Sequence, residues 1–411
     1  KSVEDARQTL MTKYMLDEIQ ANAILEMPLR RLASLERQKI EDEFKELTKL
    51  ISDLKILLKS PKQMRQVVIN ELREVREKYG DFRRTQIITL GEGEKASDFL
   101  TATDVMPLEH YWVEVTEDGL LSRTDGDKAN RLGGEKAPWS LIRTNSHQTI
   151  FLVTTEGRAA AIASLSIPVQ RGEDSAVPAH KIAPLHANDI LQSVFTVPIE
   201  SKELPERYVI TISRLGMIKR SLVEELPGVS ASDFVLAKIN ADDELFQVLI
   251  SDGKQDVLIA TANGMCIRFS EDDVRPMGLV AAGVNAIKLK EGDYIVGAAL
   301  LSEKDEVGLL TRLGSAKRVP SDDFPVQGRY GQGVIGWKLD KSDQIAALIV
   351  GKLTDKGISH FRKTASKVFT ITNAVGRKRS SNGQNMYSLK PGDEVIGFTT
   401  IHDYSEYWGE A

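Results

Sequence analysis

A short unit recurs six times after residue 110 of this 411-residue chain. It reads VTEDGLLSR at 115–123, VTTEGRAAAI at 153–162, ISRLGMIKR at 212–220, ATANGMCIR at 260–268, LTRLGSAKR at 310–318 and ITNAVGRKR at 371–379. Each copy has an apolar strand end, a polar turn, a glycine and an outgoing run. The glycines are Gly119, Gly157, Gly216, Gly264, Gly314 and Gly376, spaced 38, 59, 48, 50 and 62 residues apart. Glycine accepts φ > 0 in a tight turn without steric cost, so the series marks successive antiparallel hairpins. A second unit alternates with the first: AIKLKEGDYIVG at 286–297, WKLDKSDQIAA at 337–347 and SLKPGDEVIG at 388–397, with weaker copies at 182–191 and 237–246. Six copies of this length, each holding about four strands, predict a six-bladed, propeller-like β-pinwheel over residues 109–402.

The first 90 residues follow another period. Ile40, Phe44, Leu47, Ile51, Leu54 and Leu58 alternate spacings of four and three, a heptad stripe among charged residues. Ser60-Pro61 interrupts it, and Val68, Leu72, Val75 and Tyr79 resume it. Two long helices joined at a proline predict an antiparallel coiled-coil arm, packed within the chain. Leu16–Leu32, broken by Pro28, reads as a small apolar knot at the end of that arm. The expected architecture is therefore α plus all-β multidomain: helical segment 1–90, polar linker 91–108, pinwheel 109–402 and acidic tail 403–411. No apolar run approaches the roughly 18 residues of a membrane span. The chain begins at Lys1 with helical character and reads as a fragment that has lost an N-terminal part. The single cysteine, Cys266, excludes an intramolecular disulfide and fits a cytoplasmic protein. It reads as a buried strand residue, and Trp112, Trp139 and Trp337 as core or inter-blade residues.

Charge adds a constraint. Residues 1–90 hold 18 Lys+Arg against 15 Asp+Glu; the rest of the chain holds 36 against 44. Nucleic-acid binding by the second part therefore requires a patterned face rather than bulk charge. The repeats supply a pattern, because basic residues follow the turn glycine by three or four places. Arg123, Lys219-Arg220, Arg268, Lys317-Arg318 and Arg377-Lys378-Arg379 are expected to ring one rim, a track for a phosphate backbone. The second copy departs, with Arg158 directly after its glycine.

The quoted repeats, the stretch LDEIQANAILEMPLRRLASLERQKIEDE and the motif KYGDFRRTQI at 78–87 resemble the bacterial type IIA topoisomerase A-subunit family. SEDDVRPMGLVAAGVNAIKLKEGD at 270–293 is most similar to a repeat of the DNA gyrase A-subunit pinwheel. The resemblance implies a dimer-gate arm followed by a domain that wraps double-stranded DNA and directs strand passage and negative supercoiling. It also implies two A subunits and two B subunits in an A2B2 holoenzyme, with nucleoid-associated localisation in the cytoplasm. ATP would be used on the B subunits and Mg²⁺ by the cleavage core, with no cofactor bound by this segment. The family's catalytic tyrosine would lie upstream, so no catalytic residue is expected here. The A subunit of topoisomerase IV, an enzyme that relaxes and unlinks DNA, is the alternative within the family. A non-enzymatic propeller interaction module on a helical stalk is the alternative outside it.

The family's gyrase box is a Gln-basic-basic-Gly-Gly-basic-Gly loop in the first repeat. Here the first repeat has Asn130-Arg131-Leu132-Gly133-Gly134-Glu135-Lys136, which keeps Arg131 and two glycines. A box-like loop lies in the fifth repeat: Gln327, Gly328, Arg329, Tyr330, Gly331, Gln332 and Gly333. An ATP cradle would require Gly-Lys-Ser/Thr; Gly253-Lys254 precedes Gln and Gly351-Lys352 precedes Leu. A catalytic Arg329-Tyr330 would require a nearby carboxylate cluster for metal, which the sequence lacks there. The histidines, His180 and His186 among them, do not converge on a metal pattern. Two readings of 327–333 remain: a DNA-contacting turn, with Arg329 at phosphate and Tyr330 against sugar or in loop packing, and a structural latch between blades.

Overall fold

The computed structural model describes residues 2–27, 34–80, 106–129, 131–171, 175–199, 206–340, 342–404 and 408. The chain divides into two compact units, residues 1–89 and 90–411. Part of the apolar knot (28–33), the end of KYGDFRRTQI with most of the linker (81–105), Asn130 and most of the acidic tail (405–407, 409–411) lie outside the described residues.

The first unit contains α1 (Val3–Tyr14), α2 (Glu18–Leu25), α3 (Ser34–Lys59) and α4 (Pro61–Tyr79). Reciprocal capping boxes, Ser2 with Asp5 and Asp17 with Gln20, satisfy the free N–H groups that open α1 and α2. Ser60 caps α4 and Pro61 opens it, which fixes the helix break at this point. The heptad stripe, however, does not close on itself. Phe44 is 70 % exposed, Leu58 71 %, Leu72 62 % and Tyr79 71 %. This corrects the expected packing of the arm within the chain: a 3.5-residue period specifies an apolar stripe but not its partner.

The second unit is built from antiparallel hairpins. Among the described residues there are six, spanning 110–123, 148–163, 208–222, 256–270, 306–320 and 356–370. After each of the last five the chain makes a one-turn 3₁₀ helix, then leaves its own sheet. Val177–Pro178, Phe234–Val235, Val284–Asn285, Val334–Ile335 and Gln384–Asn385 each pair with the outgoing strand of the preceding hairpin. The chain then returns, and Leu191–Pro198, Leu245–Ser251, Ile295–Leu301, Ile345–Gly351 and Val395–Asp403 pair with the first strand of their own hairpin. Each repeat thus lends an outer strand to its predecessor and keeps an inner one, giving a β-propeller-like domain. The ends meet as well. Gly134 and Ser366 exchange backbone hydrogen bonds of 2.9 and 3.2 Å. Val395–Asp403 also runs parallel to Ser140–Asn145.

Five of the six turn glycines occupy this geometry, with φ from +73° at Gly119 to +91° at Gly216. Two are required for space as well: a Cβ on Gly157 would lie 2.2 Å from the Ala237 carbonyl oxygen, and one on Gly264 2.5 Å from that of Trp337. The sixth copy is corrected. The sixth hairpin turns at residues 362–366, which contain no glycine, and Gly376 lies beyond it in a short strand, Val375–Gly376. ITNAVGRKR is thus the 3₁₀ turn and the start of the lent segment rather than a hairpin. The inner hairpin strands are buried on both faces, with Val257, Leu258, Ile259 and Ala260 fully buried in succession, and Val209 and Cys266 are buried as well.

Candidate nucleic-acid interface

The fourth residue after the turn glycine is arginine in four repeats: Arg123, Arg220, Arg268 and Arg318. Strand register gives all four the same neighbour. Their carbonyls accept N–H bonds from Gln170, Met277, Gln327 and Arg377, at 2.8, 2.8, 2.7 and 3.0 Å, where the following repeat begins its lent segment. The guanidinium groups also face these junctions. Arg123 donates to the Ile167 carbonyl (3.0 Å) and stacks on Tyr111. Arg220 stacks on Tyr208 and reaches Asp272 at 3.1 Å. Arg268 bonds Asp256 at 2.8 Å and the Ser321 carbonyl at 3.0 Å. Arg318 lies 3.4 Å from Glu306. Together they fasten successive repeats.

Lys219 and Lys317, one place earlier, lie deeper. Both are fully buried. The Lys219 ammonium donates to the carbonyls of Leu236 (2.5 Å) and Leu279 (2.7 Å). That of Lys317 donates to the carbonyls of Arg379 (2.5 Å) and Ser381 (2.7 Å) and lies over the Trp337 ring. Burial pushes both ammonium groups down to about 8. The expected rim of Lys-Arg pairs is corrected accordingly. The outgoing hairpin strand is not a sheet edge, because the next repeat's lent strand covers it.

The 327–333 loop is fixed at both ends. Tyr330 N–H donates to the Ala286 carbonyl (2.8 Å), and Lys288 N–H to that of Gly331 (2.9 Å). The Arg329 guanidinium donates to the carbonyls of Asp273 (3.2 Å) and Asn285 (2.5 Å). Fifty residues later Arg379 repeats the pattern, donating to the carbonyls of Asp323 (3.0 Å) and Ile335 (2.5 Å). Arg377-Lys378-Arg379 therefore corresponds to Gln327-Gly328-Arg329 rather than to Lys317-Arg318. Arg329 and Arg379 hold the preceding repeat, while Arg377, Lys378 and, on the first repeat's loop, Arg131 are exposed.

A different lysine series faces solvent. Lys238, Lys288 and Lys338 are spaced 50 residues apart, and each is exposed after two buried residues that follow a lent strand. None of the three ammonium groups bonds to another described residue. Two of the backbones are tied to the next repeat: Lys238 N–H donates to the Ala281 carbonyl (3.2 Å), as Lys288 does to Gly331. The aspartates of the same unit turn inward. Asp243, Asp293, Asp343 and Asp393 accept N–H bonds from Leu215 (2.8 Å), Asn263 (3.0 Å), Leu313 (3.1 Å) and Lys363 (2.9 Å), which cap the hairpin turns. The three lysines are exposed, as are Lys290 and Lys390, two places further along their own copies of the unit. Sequence reasoning found the repeating "apolar-Lys-Leu" unit but gave its lysine no role. Its even period in an acidic segment was the available signal.

The first and sixth repeats join through an ion pair, Arg143 with Asp403 at 3.0 Å, and through an imidazole. The His360 imidazole stacks on Trp139 at 4.3 Å, with Nδ1 2.9 Å from Ser366 Oγ and Nε2 2.8 Å from Thr399 Oγ1. Thr399 donates its proton to the Trp139 carbonyl (2.9 Å), so Nε2 carries the imidazole proton and Nδ1 accepts from Ser366. Burial lowers the His360 pKa to about 4.

Comparison with known proteins gives a consistent family. Residues 207–252, 255–302 and 305–352 match the model "DNA gyrase C-terminal domain, beta-propeller", and residues 1–73 match the family model of the DNA gyrase/topoisomerase IV A subunits. The DNA gyrase A subunit of Staphylococcus aureus strain MRSA252 is 31 % identical over 343 residues, covering 80 % of this chain and 38 % of that protein. The strain COL protein is 30 % identical over the same coverage. The chain thus spans about two fifths of the length of the curated relatives it matches. Among solved structures, a C-terminal domain of DNA topoisomerase IV aligns with TM-score 0.61 at 23 % identity, over 71 % of this chain and 93 % of that one. A DNA gyrase A C-terminal domain aligns with TM-score 0.57 at 18 % identity, over 71 % and 100 %. These two likenesses establish the fold.

Proposed function

From the premise that this chain belongs to the A-subunit family of DNA gyrase and topoisomerase IV, we propose that its second unit is a six-bladed pinwheel that wraps double-stranded DNA around its outer edge. The observation that carries this reading is the row Lys238, Lys288 and Lys338, exposed at matched positions on successive repeats with no partner among the described residues. Bending 20–30 base pairs by 40–90° costs roughly 1–6 kcal/mol, so several phosphate contacts must act together. Lys290, Lys390, Arg131, Arg377 and Lys378 extend the row. Arg123, Lys219, Arg220, Arg268, Lys317, Arg318, Arg329 and Arg379 hold the support in shape, which a curved track requires.

The first unit would serve as the coiled-coil arm at a gate between two A subunits, and the open stripe on α3 and α4 supports an arm that closes against a further helix. The holoenzyme would be A2B2 in the bacterial cytoplasm, with ATP hydrolysed on the B subunits and Mg²⁺ used by the cleavage core. Its activity would be DNA isomerisation by strand passage, with the catalytic tyrosine in a portion that precedes this chain's match. Gyrase is the leading reading, because both of the curated relatives named above are gyrase A subunits. The test reconstitutes the full-length A subunit with its B partner and ATP on relaxed plasmid. Negative supercoils are the expected product; relaxation and decatenation without supercoiling would assign topoisomerase IV instead.

A further inference from the structure

Tyr330 combines a left-handed backbone with a half-exposed aromatic side chain. It has φ +66°, and among the described residues of the second unit only Lys304 shares a left-handed φ without being glycine. Such a conformation is strained for a residue with a Cβ and persists only where its surroundings impose it. Here they do. The Tyr330 and Lys288 N–H bonds, the Gln327 N–H to Arg268 and the two Arg329 contacts fix the loop on both sides. The Tyr330 side chain is 50 % exposed, and it makes no hydrogen bond or ring contact with another described residue. The equivalent positions 50 residues away hold Val280, 70 % exposed, and Ser380. One repeat therefore presents a rigidly mounted aromatic ring where its neighbours present a small side chain. The loop is bonded to the backbone of Lys288 and leads into the lent strand that precedes Lys338, so the ring belongs to the lysine row.

We infer that Tyr330 sets the rotational register of the wrapped DNA by packing into a minor groove that faces the protein between phosphates held by Lys288 and Lys338. This rests on the wrapping reading above. Phosphate contacts read no base directly, and the bend they hold gives only a diffuse preference for flexible steps. DNA wound on a protein turns its minor groove inward about every 10 base pairs. A fixed apolar ring at one such place favours sequences whose flexible pyrimidine-purine steps fall there, because those steps deform most easily. Arg329, which the sequence alone offered as the phosphate contact of this loop, instead anchors the mount.

Two variants of the full chain test the inference. Tyr330→Gly removes the ring and suits the left-handed backbone; Tyr330→Phe keeps the ring and removes the hydroxyl. Binding is competed between two duplexes of equal length and composition, one with TA steps phased about every 10 base pairs and one with the same steps out of phase. Wild type and Tyr330→Phe are expected to favour the phased duplex by about fivefold, a small share of the discrimination that deformability can supply. Tyr330→Gly is expected to keep only the weaker preference that bending itself confers, about twofold, with an unchanged salt slope and a melting temperature no lower than wild type. An undiminished preference in Tyr330→Gly overturns the inference, as does its reduction in Tyr330→Phe. A fall in the melting temperature of Tyr330→Gly also overturns it, since the ring would then be holding the loop. If wild type shows no salt-dependent binding to either duplex, the wrapping reading itself falls, and this inference with it.

Discussion

Lys317 and Lys338 belong to the same repeat and have opposite surroundings. Lys317 is fully buried, its ammonium held by two carbonyls of the following repeat. Lys338 is exposed, and its ammonium bonds to no other described residue. The pair Lys219 and Lys238 repeats the contrast in the third repeat. In each case the first lysine lies on a hairpin strand that the next repeat covers, and the second follows a strand lent outward. The same residue type therefore joins repeats at one position and supplies exposed charge at the other. Strand exchange, rather than composition, decides which.

Removing the inner set should have the largest effect on stability. Lys219→Met with Lys317→Met leaves carbonyls unsatisfied inside two junctions, at about 1–3 kcal/mol for each orphaned group. A melting temperature lowered by several degrees, with an unchanged salt slope for DNA among the molecules that remain folded, would sustain the contrast. A reduced slope would place these lysines on the DNA side. The same variants sharpen it through pH. Burial holds both ammonium groups at about 8 against an ordinary 10.5, so the unfolded chain binds more protons between those values. That difference makes wild-type stability rise as the pH is raised from 8 to 10.5, and the rise should shrink in the double Met variant.

The junction between the first and sixth repeats offers a smaller contrast, since a buried neutral imidazole is added there to a cation, Arg143, which pairs with Asp403 at 3.0 Å. His360 titrates at about 4 folded against 6.5 ordinarily, so its contribution is complete above 6.5 and is lost as the pH falls toward 4. The loss amounts to about 3 kcal/mol over that window. Hydrogen exchange at 140–145 and 395–403 should accelerate with acid in wild type and less so in His360→Gln; equal acceleration would remove His360 as the cause. Arg329→Ala with Arg379→Ala should have the smallest effect. It opens the loops they fasten and raises protease sensitivity near 273–285 and 323–335, whereas an unaltered digestion pattern would deny them the role of fasteners.

Much of this fold was legible because turn chemistry is local. Gly119, Gly157, Gly216, Gly264 and Gly314 marked five hairpins, since no other residue adopts their φ as easily. The sixth was misplaced because residues 362–366 turn without glycine, while Gly376 lies near enough to imitate the pattern. The heptad stripe predicted helices, and α3 and α4 form, but the period could not name what the stripe packs against. The candidate site was less legible than the fold. A lysine three places after a glycine looks like a solvated strand end unless the following repeat is known to fold over it, and that contact joins residues some 60 positions apart in sequence, as between Lys317 and Arg379. Lys238, Lys288 and Lys338 needed no such contact to be found, only that an even period of lysine be weighed as a surface signal.

The central claim is that the exposed lysines, not the buried ones, meet the phosphate backbone. It is tested most directly by measuring DNA affinity against salt concentration for Lys238→Gln, Lys288→Gln and Lys338→Gln combined. Each phosphate contact contributes about 0.9 to the slope of log affinity against log salt, so three lost contacts should flatten it by about 2.7. The melting temperature should stay that of wild type. A slope equal to wild type, with the fold intact, would contradict the account.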